Sequence, residues 1–168
     1  MRRNFLFLGF AIPDQEMNKV LSLDRRPAIQ THKFNWKVIK ALEYHDAFDI
    51  TYVSSRPVSE YPLFPNKAIR GNKWTVRLFD RDLTIRELSF INMGVLRMAT
   101  RFLSGIYYAI REYHSQQNKG GIIVYSVHVP YMLIGHIVAK LYKVDYIALW
   151  TDPPAVSDRS EKCWKRAL

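Results

Sequence analysis

Three stretches of the chain are apolar without alternation: residues 5–12, 122–125 and 146–150. An uninterrupted apolar run fits a strand of a parallel sheet that is covered on both faces. Between these runs the spacing changes to a helical one. Over residues 31–45, Phe34, Val38, Ala41, Leu42 and His45 fall on one face, with Thr31 as the expected cap. Residues 94–116 predict a long helix whose buried stripe is Leu96, Ala99, Leu103, Ile106, Ile110 and Tyr113. Arg97, Arg101, Tyr108 and Arg111 are expected on its outer side. Residues 131–142 are too long and too uniformly apolar for a strand and predict a crossover helix. Residues 48–53 predict another strand. Residues 74–79 and 83–90 predict the two arms of an edge hairpin around Asp80-Arg81-Asp82. Residues 13–30 read as loop. So do residues 54–72, where Pro57, Pro62, Pro65 and Gly71 leave no room for a regular element.

The resulting order is β-α-β-hairpin-α-β-α-β. Strand–helix–strand units force parallel pairs with right-handed crossovers. The expected fold is therefore α/β: a three-layer α/β/α, Rossmann-like sandwich with a mostly parallel sheet and an edge hairpin. Residues 1–157 are expected to form this one domain. Residues 158–168, rich in charge, read as a tail that begins a linker.

Composition narrows the partners. At 168 residues and 48% hydrophobic, the chain can bury a real core. Its net charge of +10 suits anionic partners such as phosphorylated molecules, an acidic membrane surface or nucleic acid. Nucleic acid is disfavoured, since no helix-turn-helix, aromatic RNP motif or GXXG loop is present. No run reaches the roughly 18 uncharged apolar residues of a membrane span. The only cysteine, Cys163, sits in the polar tail and reads as an incidental thiol, which fits a cytoplasmic location.

Motif chemistry is sparse. The loop after the first strand reads Gly9-Phe10-Ala11-Ile12-Pro13, without the glycines of a dinucleotide fingerprint, and no P-loop follows. No metal-ligand spacing links the five histidines, so no cofactor or metal is expected. Two side chains stand out by position. Open parallel sheets bind ligands beyond the carboxyl ends of their strands. His128 follows the strand at 122–125, and Asp152 follows the strand at 146–150. An imidazole there can exchange hydrogen bonds with a sugar hydroxyl near neutral pH; it can equally satisfy the strand–helix turn. Asp152, before Pro153-Pro154, reads as a ligand contact or a turn residue. His32 reads as a crevice residue or a solvated first-turn residue.

Four segments together resemble the amino-terminal domain of family 4 glycosyltransferases, which have the two-domain GT-B fold. They are Thr31-His32-Lys33-Phe34-Asn35-Trp36, the run LTIRELSFINM at 83–93, the strand and histidine turn at 123–130, and residues 145–154 with Thr151-Asp152. The resemblance implies the acceptor-binding half of a retaining enzyme that uses a nucleotide-sugar donor, in polysaccharide or glycolipid synthesis. It implies His128 as the catalytic contact at the reacting sugar. Thr151, Asp152, Tyr131, His32, Lys33 and Asn35 are implied to bind substrate. The donor would be held mainly by a carboxy-terminal domain with a Glu-x7-Glu motif, which these residues do not include, so the chain alone is expected to be inactive. A sugar or lipid-linked acceptor and peripheral contact with an anionic membrane are the implied partners. The glycine-poor loop at 10–30 departs from the Gly-Gly pair that the family usually places there. The alternative reading is a non-enzymatic, flavodoxin-like binding or regulatory domain.

Overall fold

The computed structural model of the chain describes residues 2–125 and 128–150. Its elements are β1 (Arg3–Gly9), α1 (Asp14–Leu23), α2 (Ile29–Tyr44), β2 (Phe48–Ser54), β3 (Ala68–Ile69), β4 (Lys73–Leu78), β5 (Arg81–Glu87), β6 (Phe90–Ile91), α3 (Gly94–His114), β7 (Lys119–Tyr125), α4 (Val129–Tyr142) and β8 (Asp145–Leu149). The main sheet has six strands in the order β4-β5-β2-β1-β7-β8. All of its neighbours are parallel except the β4–β5 hairpin. The fold is thus the Rossmann-like α/β sandwich that the apolar pattern predicts.

The central strands are buried as their sequence requires. Phe5 to Gly9 of β1 and Gly120 to Tyr125 of β7 are buried without a break, while β4 alternates at the sheet edge. The hairpin turn is Phe79-Asp80, one residue earlier than the sequence suggests. Both residues have positive φ, 48° and 61°, which is the backbone that a two-residue turn needs to follow the strands' twist.

The chain steps from β1 to β2 on one side and later returns through α3 to β7 on the other. Right-handed crossovers then put α2 on one face and α3 with α4 on the opposite face. The strand order reverses between β1 and β7. This is the switch point at which such sheets leave a crevice open.

Three expectations outside α3 fail. Residues 14–23 form α1 rather than loop. Met17 and Val20 are its only buried residues, too short a stripe to be read from the sequence. The 54–72 stretch does contain a regular element, since Ala68–Ile69 pairs with Phe90–Ile91 as a two-stranded ribbon. Thr31 is not a cap, because α2 starts earlier, after Ala28. Together α1, the 56–70 loop and the ribbon build a second small core from Ile12, Met17, Val20, Val58, Phe64 and Phe90.

The largest correction concerns α3. Leu96 and Leu103 are 52% and 63% exposed, whereas Arg101 is only 3% exposed. The buried line is Arg101, Gly105, Ala109 and Tyr113, each one helical step of four residues on. Small residues win this face because α4 must come close. A Cβ built on Gly105 would lie 2.5 Å from Cδ1 of Ile134. Among the described residues no helix is long and apolar enough to cross a membrane.

Candidate functional site at the switch point

β1 ends at Gly9, and the chain must turn there under α2. Asn35 of α2, fully buried, packs so closely that a Cβ on Gly9 would lie 2.7 Å from its Oδ1. This contact fixes the path of the Phe10-Ala11-Ile12 loop. Trp36 adds to it by donating Nε1–H to the Ile12 carbonyl at 2.9 Å. On the neighbouring side, β7 leads to His128, which stands at the N-cap of α4. Pro130 in the first turn presets the helical backbone.

Between these exits lies a cavity of about 420 Å³. Phe10, Thr31, Val58, Arg97, Arg101 and His128 line it. His128 packs edge-on against Phe10 and Tyr131, each with ring centroids 5.0 Å away. Its Nδ1 is buried without a hydrogen-bond partner. Burial, then the charges of Arg101 and Arg97, push the imidazole down to about 3, so the ring is neutral near pH 7. A neutral imidazole can donate from one nitrogen and accept at the other.

The second β-strand exit supplies the other wall. The Arg56 side chain there is fully matched: Nε donates to Glu87 at 2.7 Å and Nη2 reaches Glu16 at 3.1 Å. Its backbone carbonyl accepts from Arg101 Nη2 at 3.1 Å, and the carbonyl of Val58 accepts from Arg97 Nη2. Two arginines of α3 therefore clamp one short loop.

Neither clamp is neutralised in the same way. Among the described residues no carboxylate lies within ion-pair distance of Arg97 or Arg101, and the Nε of each is buried without a partner. Arg101 stacks over Phe90, with its guanidinium 4.0 Å from the ring centroid. Such stacking is worth about 2 kcal/mol when desolvated, less than the several kcal/mol that burying an isolated cation costs. Burial and the neighbouring Arg97 charge pull Arg101 down to about 9. Burial also lowers Arg97, against the attraction of Glu60 and Asp24.

The other residues expected at the site fall in different places. Tyr131 is fully buried, as a floor beneath the His128 ring rather than part of the cavity lining. Asn35 is sealed against Gly9. Thr31 faces the His128 cavity, but His32 and Lys33 line a separate cleft of about 830 Å³ between α2 and β4. His32 is buried there beside Asp14, 3.2 Å from Nε2 to Oδ1, and burial lowers its pKa despite that carboxylate. Thr151 and Asp152 lie outside the described residues. Sequence reasoning missed Arg97 and Arg101 as site residues because charged side chains are usually solvated. The signal was present in the four-residue spacing that joins them to Gly105, Ala109 and Tyr113.

Comparison of the chain with protein-family models, curated proteins and solved structures finds no match, so its chemistry is read from its own residues.

Proposed function

We propose that this chain is the acceptor-side half of a retaining, nucleotide-sugar-dependent glycosyltransferase that acts in polysaccharide or glycolipid synthesis. The observation that carries the reading is His128 on the wall of the switch-point cavity, with its imidazole kept neutral by burial. A neutral ring at that place hydrogen-bonds a sugar hydroxyl without adding a third positive charge beside Arg97 and Arg101. Phe10 and Val58 give the cavity apolar walls that suit a sugar face. On this reading Thr31 and His128 meet the acceptor, and a donor-binding domain closes over them.

The test supplies a donor-binding α/β domain with a Glu-x7-Glu motif, joined to the chain or added separately, together with nucleotide sugars and lipid-linked acceptors. Transfer with retained anomeric configuration is expected only when both halves are present, with a severe loss in His128→Ala. Saturable ligand binding without transfer in any combination would instead favour a flavodoxin-like binding module.

Peripheral membrane contact on the cytoplasmic face belongs to the same proposal. Its support is the exposed apolar ridge of Val95, Leu96, Leu103 and Tyr107 on α3, together with the net charge of +10. Flotation with anionic and with neutral liposomes tests it. Equal recovery from both would remove the electrostatic part.

A further inference from the structure

We propose that the switch-point cavity binds a phosphoryl group, held between Arg97 and Arg101 of α3. Two guanidiniums line one cavity of about 420 Å³, and the Nε of each is buried without a partner. Each uses a single Nη2 to hold a backbone carbonyl of the 56–58 loop. The fork of N–H donors is therefore not exhausted by protein contacts.

The contrast with Arg56 is informative. That residue, one position before the cavity-lining Pro57, reaches two carboxylates. Arg97 and Arg101 have none within ion-pair distance among the described residues, and Arg101 is 97% excluded from solvent by its 3% exposure. Glu60 is the carboxylate on the cavity's rim. It is exposed, and its Oε1 accepts from the Gly94 amide at 2.5 Å. A protein that needed these arginines only as clamps would lose nothing by pairing them. Two guanidiniums without a direct ion pair, with Glu60 and Asp24 acting on Arg97 only at longer range, suit an incoming dianion. A phosphoryl group matches two charges and the planar donor forks, whereas a single carboxylate would leave one charge unmatched. His128 lines the same cavity, and its buried Nδ1 is also without a partner.

The phosphoryl group has two chemical sources: the diphosphate of a nucleotide, or a phosphate ester on an acceptor. The inference shares its cavity with the transferase reading but not its premise, because binding is measured on this chain without turnover.

The experiment is calorimetric titration of the 168-residue chain with inorganic phosphate, uridine diphosphate and geranyl phosphate. Saturable binding of at least one probe is expected, weakened about tenfold or more in Arg97→Gln by loss of a charge-assisted contact. Arg111→Gln, on the exposed side of the same helix, should bind as the wild type does. Arg101→Lys keeps the charge, loses the fork and should also bind more weakly; circular dichroism checks that it remains folded. A phosphate-induced rise in melting temperature should accompany binding in the wild type and vanish in Arg97→Gln. Tighter uridine diphosphate supports the nucleotide source, and tighter geranyl phosphate supports the ester. No saturable binding of any probe at tens of millimolar, or equal losses in Arg97→Gln and Arg111→Gln, would overturn the site. Phosphate binding by this chain, with no sugar transfer once the donor-binding domain is supplied, keeps the site and removes the transferase reading. Transfer that is indifferent to Arg97→Gln does the reverse.

Discussion

Arg56 donates through Nε to Glu87 Oε1 at 2.7 Å, and the Glu87 side chain is wholly excluded from solvent. The pair ties the exit of β2 to the exit of β5, and Trp74 Nε1 donates to the same carboxylate at 2.8 Å. Removing one member of a buried pair strands the other. Glu87→Gln should therefore destabilise the fold by about 3 kcal/mol. The loss would be read as a lower urea midpoint at unchanged slope. The double variant Arg56→Met/Glu87→Met should cost clearly less than the sum of the two single changes; simple additivity would mean that the pair is not coupled.

Gly71 faces the backbone at the end of β5, where a Cβ would lie 2.1 Å from the Glu87 carbonyl oxygen and 2.6 Å from the Leu88 carbonyl carbon. Backbone cannot swing aside as a side-chain tip can. Gly71→Ala should cost about 3 kcal/mol, the upper end for overpacking. Restricting the unfolded chain returns less than about 1 kcal/mol. A variant as stable as the wild type would show that β4 and its approach can shift at no cost.

His128 makes the fold sensitive to acid. Above its ordinary value of 6.5 the ring is neutral whether the chain is folded or not. As pH falls from there toward about 3, the unfolded chain takes up a proton that the folded chain refuses. Stability is then lost at up to about 1.4 kcal/mol per pH unit, and the loss levels off below about 3. His32 acts in the same direction but cancels when wild type is compared with His128→Gln. The difference between their stability curves should slope across that window, and parallel curves would show that the imidazole is solvated.

On α3, Leu103→Gln should change stability by no more than about 0.5 kcal/mol, because the side chain is 63% exposed. Ala109→Leu, on the fully buried line, should cost about 1–3 kcal/mol. The opposite ranking, read by thermal denaturation, would reverse the orientation of the helix.

That helix also shows where the sequence stops being legible. β1 and β7 can be read directly because a strand covered on both faces leaves a long apolar run, as in Phe5 to Leu8 and Ile122 to Tyr125. A helix that packs against another helix leaves a fainter trace. Gly105 and Ala109 carry almost no hydrophobic signal, yet they form the contact, while Leu96 and Leu103 carry a strong one and stay outside. The same inversion hid half of the cavity. His128 could be placed from its strand end alone. Arg97 and Arg101 could not, because burying a guanidinium depends on carbonyls of residues 56 and 58, some 40 positions away in sequence. Their helix suggests the crevice for His32 and Lys33, but a rotation of about 100° per residue takes them from Thr31's cavity into another cleft.

The small cluster around Phe64 and Val58 means that the rim above the sheet is anchored independently of the main interior. A wall with its own apolar footing does not have to be ordered by whatever enters. For the binding proposed at this mouth, fit and charge would then decide from the first encounter, with little entropy left to lose, and mutations that loosen Phe64 should slow capture without touching a cavity-lining residue.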